Sequence, residues 1–542
     1  MFRFFVISFL ALVGAPLWAI TSITGLQNNY SFLLEGTPNH GIARGSIFIV
    51  YGTELAGPGL VLGTFEPTLD KNLGGVTIRV TVNGVTTEAI PYYISPGQLG
   101  AILPSATPAG QGTVIASYNG QTSAPYPILV VEGAFGLMTM GGNGLGQAVV
   151  MDANFNILTP ANAPVEDQAI ILWGSGLGPF AGDETQLIGS QRSLDELPFE
   201  LYIGGKLAET FYHGRSQFPA LDQIVAKIPA GVSGCFVSVY VKTGGYISNF
   251  TTIPVANPGA GACADYFATA DEVRALASGE TVSAGWLQVG TFVQHTQDMT
   301  GPTTSITDAA TAQFLRYTSF DYTNWGGISQ TSFGSCQLLT FPISAPFIPP
   351  ILEGLDAGMV SLTLPGGGAQ NLARQGFGYS ATGSDSGAGI RRFVGQPGET
   401  HTYNVSGGAQ VGAFSESVTL PPVFSVNGLA NLTTIPRSQS LEITWTGGSP
   451  DSLVVVTGSS NDTTSAITQF TCSARASEGR LVVPRDILAS MIPSVVFPGP
   501  FFITTGQILV YNYEPYRRFS APGIDIGSIQ SYIAETAIVE YQ

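Results

Sequence analysis

The run Tyr317-Thr-Ser-Phe-Asp321-Tyr322-Thr-Asn324-Trp325 is the stretch of this 542-residue chain best equipped to hold a ligand. Flat faces at Tyr317, Tyr322 and Trp325 alternate with Asp321 and Asn324, and Gly326 and Gly327 follow. A sugar-stacking platform needs those two ingredients: aromatic surface for the C–H face of the ring, and polar groups for its hydroxyls. The same alternation also describes a twisted edge strand that buries every second aromatic.

Catalytic constellations are harder to assemble. His40, His213, His295 and His401 stand in four separate regions, so a Ser–His–Asp arrangement would need three distant segments to converge. Glycoside hydrolysis needs two carboxylates on one cleft, and a pairing such as Asp321 with Asp385 is not established by spacing. Gly383-Ser-Asp385-Ser-Gly387 puts Asp where a nucleophile elbow carries Ser. The strings Gly142–Gly146 and Gly174–Gly178 lack both the Gly-x-Gly-x-x-Gly spacing and a Lys-Ser/Thr end, so they read as turns. Asp152-Ala-Asn154-Phe-Asn156 has the alternating oxygens of half a calcium loop, but Ile157 and Ala163 occupy the positions that need Gly and an acid. The expectation is therefore a chain with no catalytic residues, no cofactor and no metal site, leaving calcium between acidic loops with ligands unnamed. The competing expectation is a secreted hydrolase with its site within 264–542.

The elements around these residues are those of an exported β protein. Residues 1–19 read as a secretory signal, with Arg3 ahead of the apolar stretch Phe4 to Gly14 and Ala19 at the cleavage point. No later stretch resembles a transmembrane helix, because the most apolar one is interrupted by Pro342, Pro346, Pro349 and Pro350. Charged residues make up 11% and apolar ones 44%, with 68 Gly and 35 Pro, a balance suited to strands and turns. The net charge of −17, with no Lys/Arg run, argues against a nucleic-acid partner. In an exported chain, Cys235, Cys263, Cys336 and Cys472 point to disulfides, for which three connectivities exist. Cys235–Cys263 is favoured because it joins the start of a strand to a point just past the last strand of the same unit. Cys336–Cys472 then follows by exclusion and would link the C-terminal regions.

A segment of the chain recurs after about 120 residues. Gly45 to Pro58 matches Asp167 to Pro179, and Gln98-Leu-Gly-Ala-Ile-Leu-Pro104 matches Gln223-Ile-Val-Ala-Lys-Ile-Pro229. Strict alternation from Val76 to Val82 meets Asn83-Gly84, a strong hairpin signal, and Asn119-Gly120, Gly204-Gly205 and Gly244-Gly245 mark three more. This predicts one β-sandwich over 20–133 and a second over 134–258. A small mixed region over 259–345 follows, with a helix capped by Thr269 and Glu272, short strands, and a Thr/Ser-rich loop at 301–311. Residues 346–542 read as a C-terminal sandwich region of one or two domains, set off by the proline cluster at 342–350.

The Val-Tyr-Gly52-Thr-Glu-Leu and Leu-Trp-Gly174-Ser-Gly-Leu segments resemble the opening of the immunoglobulin-like TIG (IPT) fold, where an apolar strand runs into a Gly-x-x-Leu turn. With Tyr93-Ile-Ser-Pro-Gly-Gln98, Ala101-Ile-Leu-Pro104 and Gly234-Cys235 through Ser248-Asn249, the stretch Gly45 to Val255 resembles a secreted-protein domain family common in soil acidobacteria. The resemblance implies tandem immunoglobulin-like sandwiches and no assigned chemistry. The combined expectation is an all-β, secreted or cell-surface protein for adhesion, scaffolding or binding. Its partners would be polysaccharide or other surface proteins, and the alternative is a carbohydrate-binding accessory protein using Tyr317, Tyr322, Asn324 and Trp325.

Overall fold

The computed structural model describes residues 21–542 except 65–67, 267, 280, 299–300, 319–329, 344–352, 386–391, 464 and 499–501. The export signal expected at 1–19 and most of the proline connector thus lie outside the described residues. The fold is all-β, with helix confined to short segments.

In the first unit, alternating apolar residues form β1 (Ser22–Asn28), β2 (Ile47–Thr53), β3 (Thr77–Val82), β4 (Val85–Ile94), β5 (Gln98–Ile102), β6 (Gly110–Tyr118) and β7 (Tyr126–Val131). They join in the order β1-β2-β5-β4-β3-β6-β7. β4 pairs with β3 through its first half and with β5 through its second. The sheet therefore folds over a core that includes Phe48, Val50, Ile78, Val80, Leu99 and Val114. Between β3 and β4, Asn83 and Gly84 have φ of 51° and 78°, the left-handed pair of a type I′ turn. That turn's twist matches the strands it joins, and few residues other than Asn and Gly enter it without strain.

The second unit contains β8 (Ala169–Ser175), β9 (Phe199–Ile203), β10 (Thr210–Arg215), β11 (Asp222–Lys227), β12 (Gly234–Thr243) and β13 (Thr251–Val255). β8 pairs with β11 as β2 does with β5, and β9 with β12 as β3 does with β6. Where β4 runs unbroken in the first unit, the chain here is interrupted between Leu207 and Thr210, and two separate sheets result. They close on Leu172, Leu201, Ile224, Val239 and Ile253 as a two-sheet β-sandwich.

Buried polar groups join the two units. Arg215, fully buried, pairs with Asp222 at 3.0 Å and donates to the carbonyl of Gly45 at 2.8 Å. Asp222 accepts the backbone N–H groups of Gly176 and Leu177. Glu184 accepts both the N–H and the hydroxyl of Ser105 across the same junction.

Beyond the second unit, α1 (Ala270–Ser278) starts at the expected capping box of Thr269 and Glu272 and buries Val273 and Leu276. Then come β14 (Thr281–Asp298), β15 (Gly301–Thr318), β16 (Cys336–Pro342), β17 (Val360–Thr363), β18 (Ala369–Gln375), β19 (Gly378–Ser384), β20 (Thr400–Val405) and β21 (Phe414–Thr419). The chain continues through β22 (Leu453–Asn461), β23 (Ala466–Arg475), the short α2 (Arg485–Ala489), β24 (Gln507–Tyr513), β25 (Arg517–Ala521) and β26 (Ile524–Ile538). β14 and β15 form a ladder of eighteen residues each, so the expected loop at 301–311 is strand. Its Thr and Ile residues favour extended backbone, and from Thr307 onward they gain β19 as a second neighbour.

Among the described residues these strands and the two-residue strand Glu353–Gly354 form one sheet of fourteen: twelve run in the order β16-β23-β22-β24-β26-β14-β15-β19-β18-β17-β20-β21, β25 pairs with β26, and Glu353–Gly354 pairs with β15. Strands before and after residue 345 thus alternate within one sheet, and the proline cluster does not separate two sheets. The pairing of β14 with β26 is parallel, which the intervening chain length permits. The sheet carries two cores. One contains Phe314, Leu362, Tyr403 and Ile529, the other Val454, Phe470, Ile508 and Val539. Tyr240, Ile247 and Phe250 of the second sandwich enter the latter. Both expected disulfides are present, Cys235–Cys263 and Cys336–Cys472. The second joins residues directly opposite on β16 and β23, so it fastens neighbouring strands of one sheet.

Candidate binding cavity

Side chains alternate between faces along a strand, and on six adjacent strands of the large sheet the face opposite the cores is aromatic and polar. On β22, Val454 and Val456 enter a core while Leu453, Val455 and Thr457 face the other way. On β23 the same division sets Phe470 and Cys472 against Gln469, Thr471 and Ser473. β24 contributes Tyr511 and Tyr513, β26 Ser528 and Gln530, β14 Trp286 and Gln288, and β15 Gln313 and Tyr317. Register brings them together. Val455 lies opposite Tyr511, Trp286 opposite both Ser528 and Gln313, and Gln288 opposite Gln530. They line a cavity of about 390 Å3. That lies within the ~300–1,000 Å3 of small-molecule sites.

Phe236 of the second sandwich, Ala268 ahead of α1, Gln330, Thr331 and Tyr516 complete the wall. The cavity therefore sits where the second sandwich meets the large sheet. Tyr516 is held from two sides. The Tyr266 ring meets it edge-on at 5.7 Å, and the Arg518 guanidinium lies 4.3 Å over its face. Arg518 is itself anchored on Glu272 of α1 by hydrogen bonds of 2.6 and 2.8 Å. Trp286 and Tyr317 pack edge to face at 5.7 Å, and Tyr511 and Tyr513 stack at 4.9 Å.

No Asp, Glu, His, Lys or Arg is among the described residues lining the cavity. Burial pushes the phenols of Tyr511, Tyr513 and Tyr516 above their ordinary pKa, so they stay protonated and able to donate at neutral pH. Two amide oxygens, Gln330 Oε1 and Gln530 Oε1, are buried without a hydrogen-bond partner, and Gln530 is only 6% exposed. A buried acceptor left open costs free energy that a ligand hydroxyl would recover.

Tyr317, expected on an exposed platform, is instead buried in the cavity wall. Tyr322, Asn324 and Trp325, and Asp321 with them, lie outside the described residues. Asp385 sits in a turn 3.8 Å from Arg392 and does not line the cavity. The oxygens of Asp152 are occupied by the N–H groups of Asn154 and Asn156 and the Asn156 amide, which hold its carboxyl below the usual range. That is a turn closing on itself.

His295 lies 3.2 Å from both Thr304 and Glu535, contacts that follow from its cross-strand neighbours on β15 and β26. Thr304 is exposed on the hairpin, and none of the three residues lines the cavity. Sequence reading missed the glutamines and the tyrosines of β24. The available signal was the Trp286-Leu-Gln288 and Ser528-Ile-Gln530 pattern, with one apolar residue between two polar or aromatic ones.

No described family and no curated protein matches the sequence. Among solved structures, a protein of unknown function from Bacteroides thetaiotaomicron aligns at 10% identity over 56% of this chain and 59% of that one, with a TM-score of 0.15. SGBP-B from a complex xyloglucan utilization locus in Bacteroides uniformis aligns at 10% identity over 67% of this chain and 86% of that one, with a TM-score of 0.17. Domains 5–6 of the S-layer protein SbsC align at 11% identity over 44% of this chain and 99% of that fragment, with a TM-score of 0.15. Superpositions this loose carry no argument about what this chain binds.

Proposed function

We propose that this chain is a non-catalytic binding protein of the cell surface or extracellular space, in which two TIG-like sandwiches serve as scaffold and the cavity takes a neutral carbohydrate. The observation that carries this reading is the cavity wall itself: aromatic faces at Trp286, Tyr317, Tyr511 and Tyr513 among the amides of Gln288, Gln469 and Gln530. Sugar rings offer C–H faces to the former and vicinal hydroxyls to the latter. Among the described residues the wall carries no ionisable acid or base, which favours a neutral ligand, since a charge desolvated there would meet no counter-charge from them. The two disulfides suit an oxidising compartment.

A glycan-array screen of the disulfide-intact protein, followed by calorimetry on the hits with and without chelator, tests the reading. Binding to a neutral glycan is expected, weakened at least tenfold by Trp286→Ala in protein that still melts cooperatively. A blank array from folded protein would remove carbohydrate as the ligand class and leave a scaffold. Loss on chelation would place calcium in the site.

A further inference from the structure

We infer that Arg518, which does not itself line the cavity, positions it for the ligand: the guanidinium fixes the Ser528 hydroxyl as a donor toward a bound sugar and seats the Tyr516 ring. This rests on the carbohydrate reading above. Register carries the argument. Arg518 of β25 lies opposite Ser528 of β26, Ser528 opposite Trp286 of β14, and Trp286 opposite Gln313 of β15. Residues directly opposed on neighbouring strands project from the same face. Arg518 therefore ends a row whose other three members, Ser528, Trp286 and Gln313, line the cavity, as does Tyr516 two residues before it.

The guanidinium is a planar fork whose N–H directions are fixed once two of them are engaged. Its Nε and one Nη donate to the two carboxylate oxygens of Glu272 at 2.6 and 2.8 Å. Glu272 is itself held in the first turn of α1, where it accepts the Thr269 N–H at 2.8 Å. The other Nη of Arg518 then points at Ser528 and donates to its Oγ. A serine hydroxyl has one proton and two lone pairs. With a lone pair taken by the guanidinium, and no described residue accepting the proton, the proton is what Ser528 presents to the cavity. A hydroxyl free to rotate would have to be ordered on binding, which opposes affinity; here the protein has ordered it beforehand. The same guanidinium lies 4.3 Å over the Tyr516 face and keeps that ring in the wall. Glu272 balances its charge, so the site gains an oriented donor and remains suited to a neutral ligand. A sugar must then offer an acceptor oxygen to Ser528.

Calorimetry of the full disulfide-intact protein with mono- and disaccharides of glucose, mannose, galactose and xylose tests this. For the tightest of these sugars, Arg518→Met and Ser528→Ala should each weaken binding by about tenfold, the scale of a hydrogen bond to a charged partner. The double variant should be no weaker than the worse single one. Arg518→Lys, which restores a donor and a charge without the fork, should recover part of the loss. Deoxy analogues supply a readout that a purely structural role would not move. The hydroxyl whose removal costs the parent most should cost Ser528→Ala and Arg518→Met less than twofold. Additive losses in the double variant, or a deoxy penalty that persists in Arg518→Met, would overturn the positioning role and leave the cavity reading intact. If Arg518→Met fails to fold, Arg518→Lys with the parent's deoxy profile and Ser528→Ala with undiminished affinity would overturn it equally. No binding of any of these sugars by the parent would overturn the carbohydrate reading and this inference with it.

Discussion

Arg215 and Asp222 lie 3.0 Å apart with neither side chain exposed, at the junction of the first two sandwiches. Burial pushes the Asp222 carboxyl up, while the guanidinium and two backbone N–H groups oppose that rise. Such a pair need not add net stability, but removing one member strands the other. Arg215→Ala should destabilise the protein by about 3–5 kcal/mol in urea unfolding. The double replacement Arg215→Met with Asp222→Leu should recover much of that loss. If the single variant loses under about 1 kcal/mol, the charge at Asp222 finds another partner or protonates.

Among the elements, the two disulfides close loops of very different length. Cys235–Cys263 spans 28 residues and Cys336–Cys472 spans 136. If constraint of the unfolded chain dominates, the longer loop contributes about 1.4 kcal/mol more, from the logarithm of the length ratio. The Cys336→Ser/Cys472→Ser variant should therefore melt below the Cys235→Ser/Cys263→Ser variant. The reverse order would mean that local packing of Cys235–Cys263 against the Asp265 and Ser332 contacts outweighs chain entropy. The long hairpin β14–β15 matters in another way. It places Trp286 beside β26, and without that parallel pairing the cavity would lose one wall.

Across the whole molecule, pH acts through buried groups with opposite signs. Desolvation lowers the pKa of His40, His213 and His401 from 6.5, partly countered by Glu35 at the first, Asp195 at the second, and Glu399 and Asp308 at the third. The unfolded chain then takes up protons from about pH 6.5 downward while the folded rings stay neutral, so stability falls as pH drops through that window. Buried Glu184, Asp222 and Asp265 have raised pKa values and lose stability in the other direction, as pH rises out of the carboxylate range. Comparing variants isolates the histidine contribution. His401→Gln should show a smaller fall in Tm between pH 7 and pH 5 than the parent protein, and an equal fall would remove His401 from this account.

What could be read from the sequence alone depended on residues close together in it. The type I′ turn at Asn83-Gly84, the capping box of Thr269 and Glu272, and the all-β character all follow from backbone preferences acting over a few positions. The disulfide pairing was legible because the expectation of export made disulfides the default and strand position favoured one of three connectivities. Tyr317 was singled out for its aromatic face, but whether that face lay on the surface or in a wall depended on what packed over it. The cavity belongs to tertiary structure. Gln288 and Gln530 stand roughly 240 residues apart in the chain and become neighbours only through the parallel register of β14 and β26. No local preference encodes that register. It arises because the alternate residues of each strand must bury in two cores, and once they do, the polar and aromatic remainder is left facing a common space.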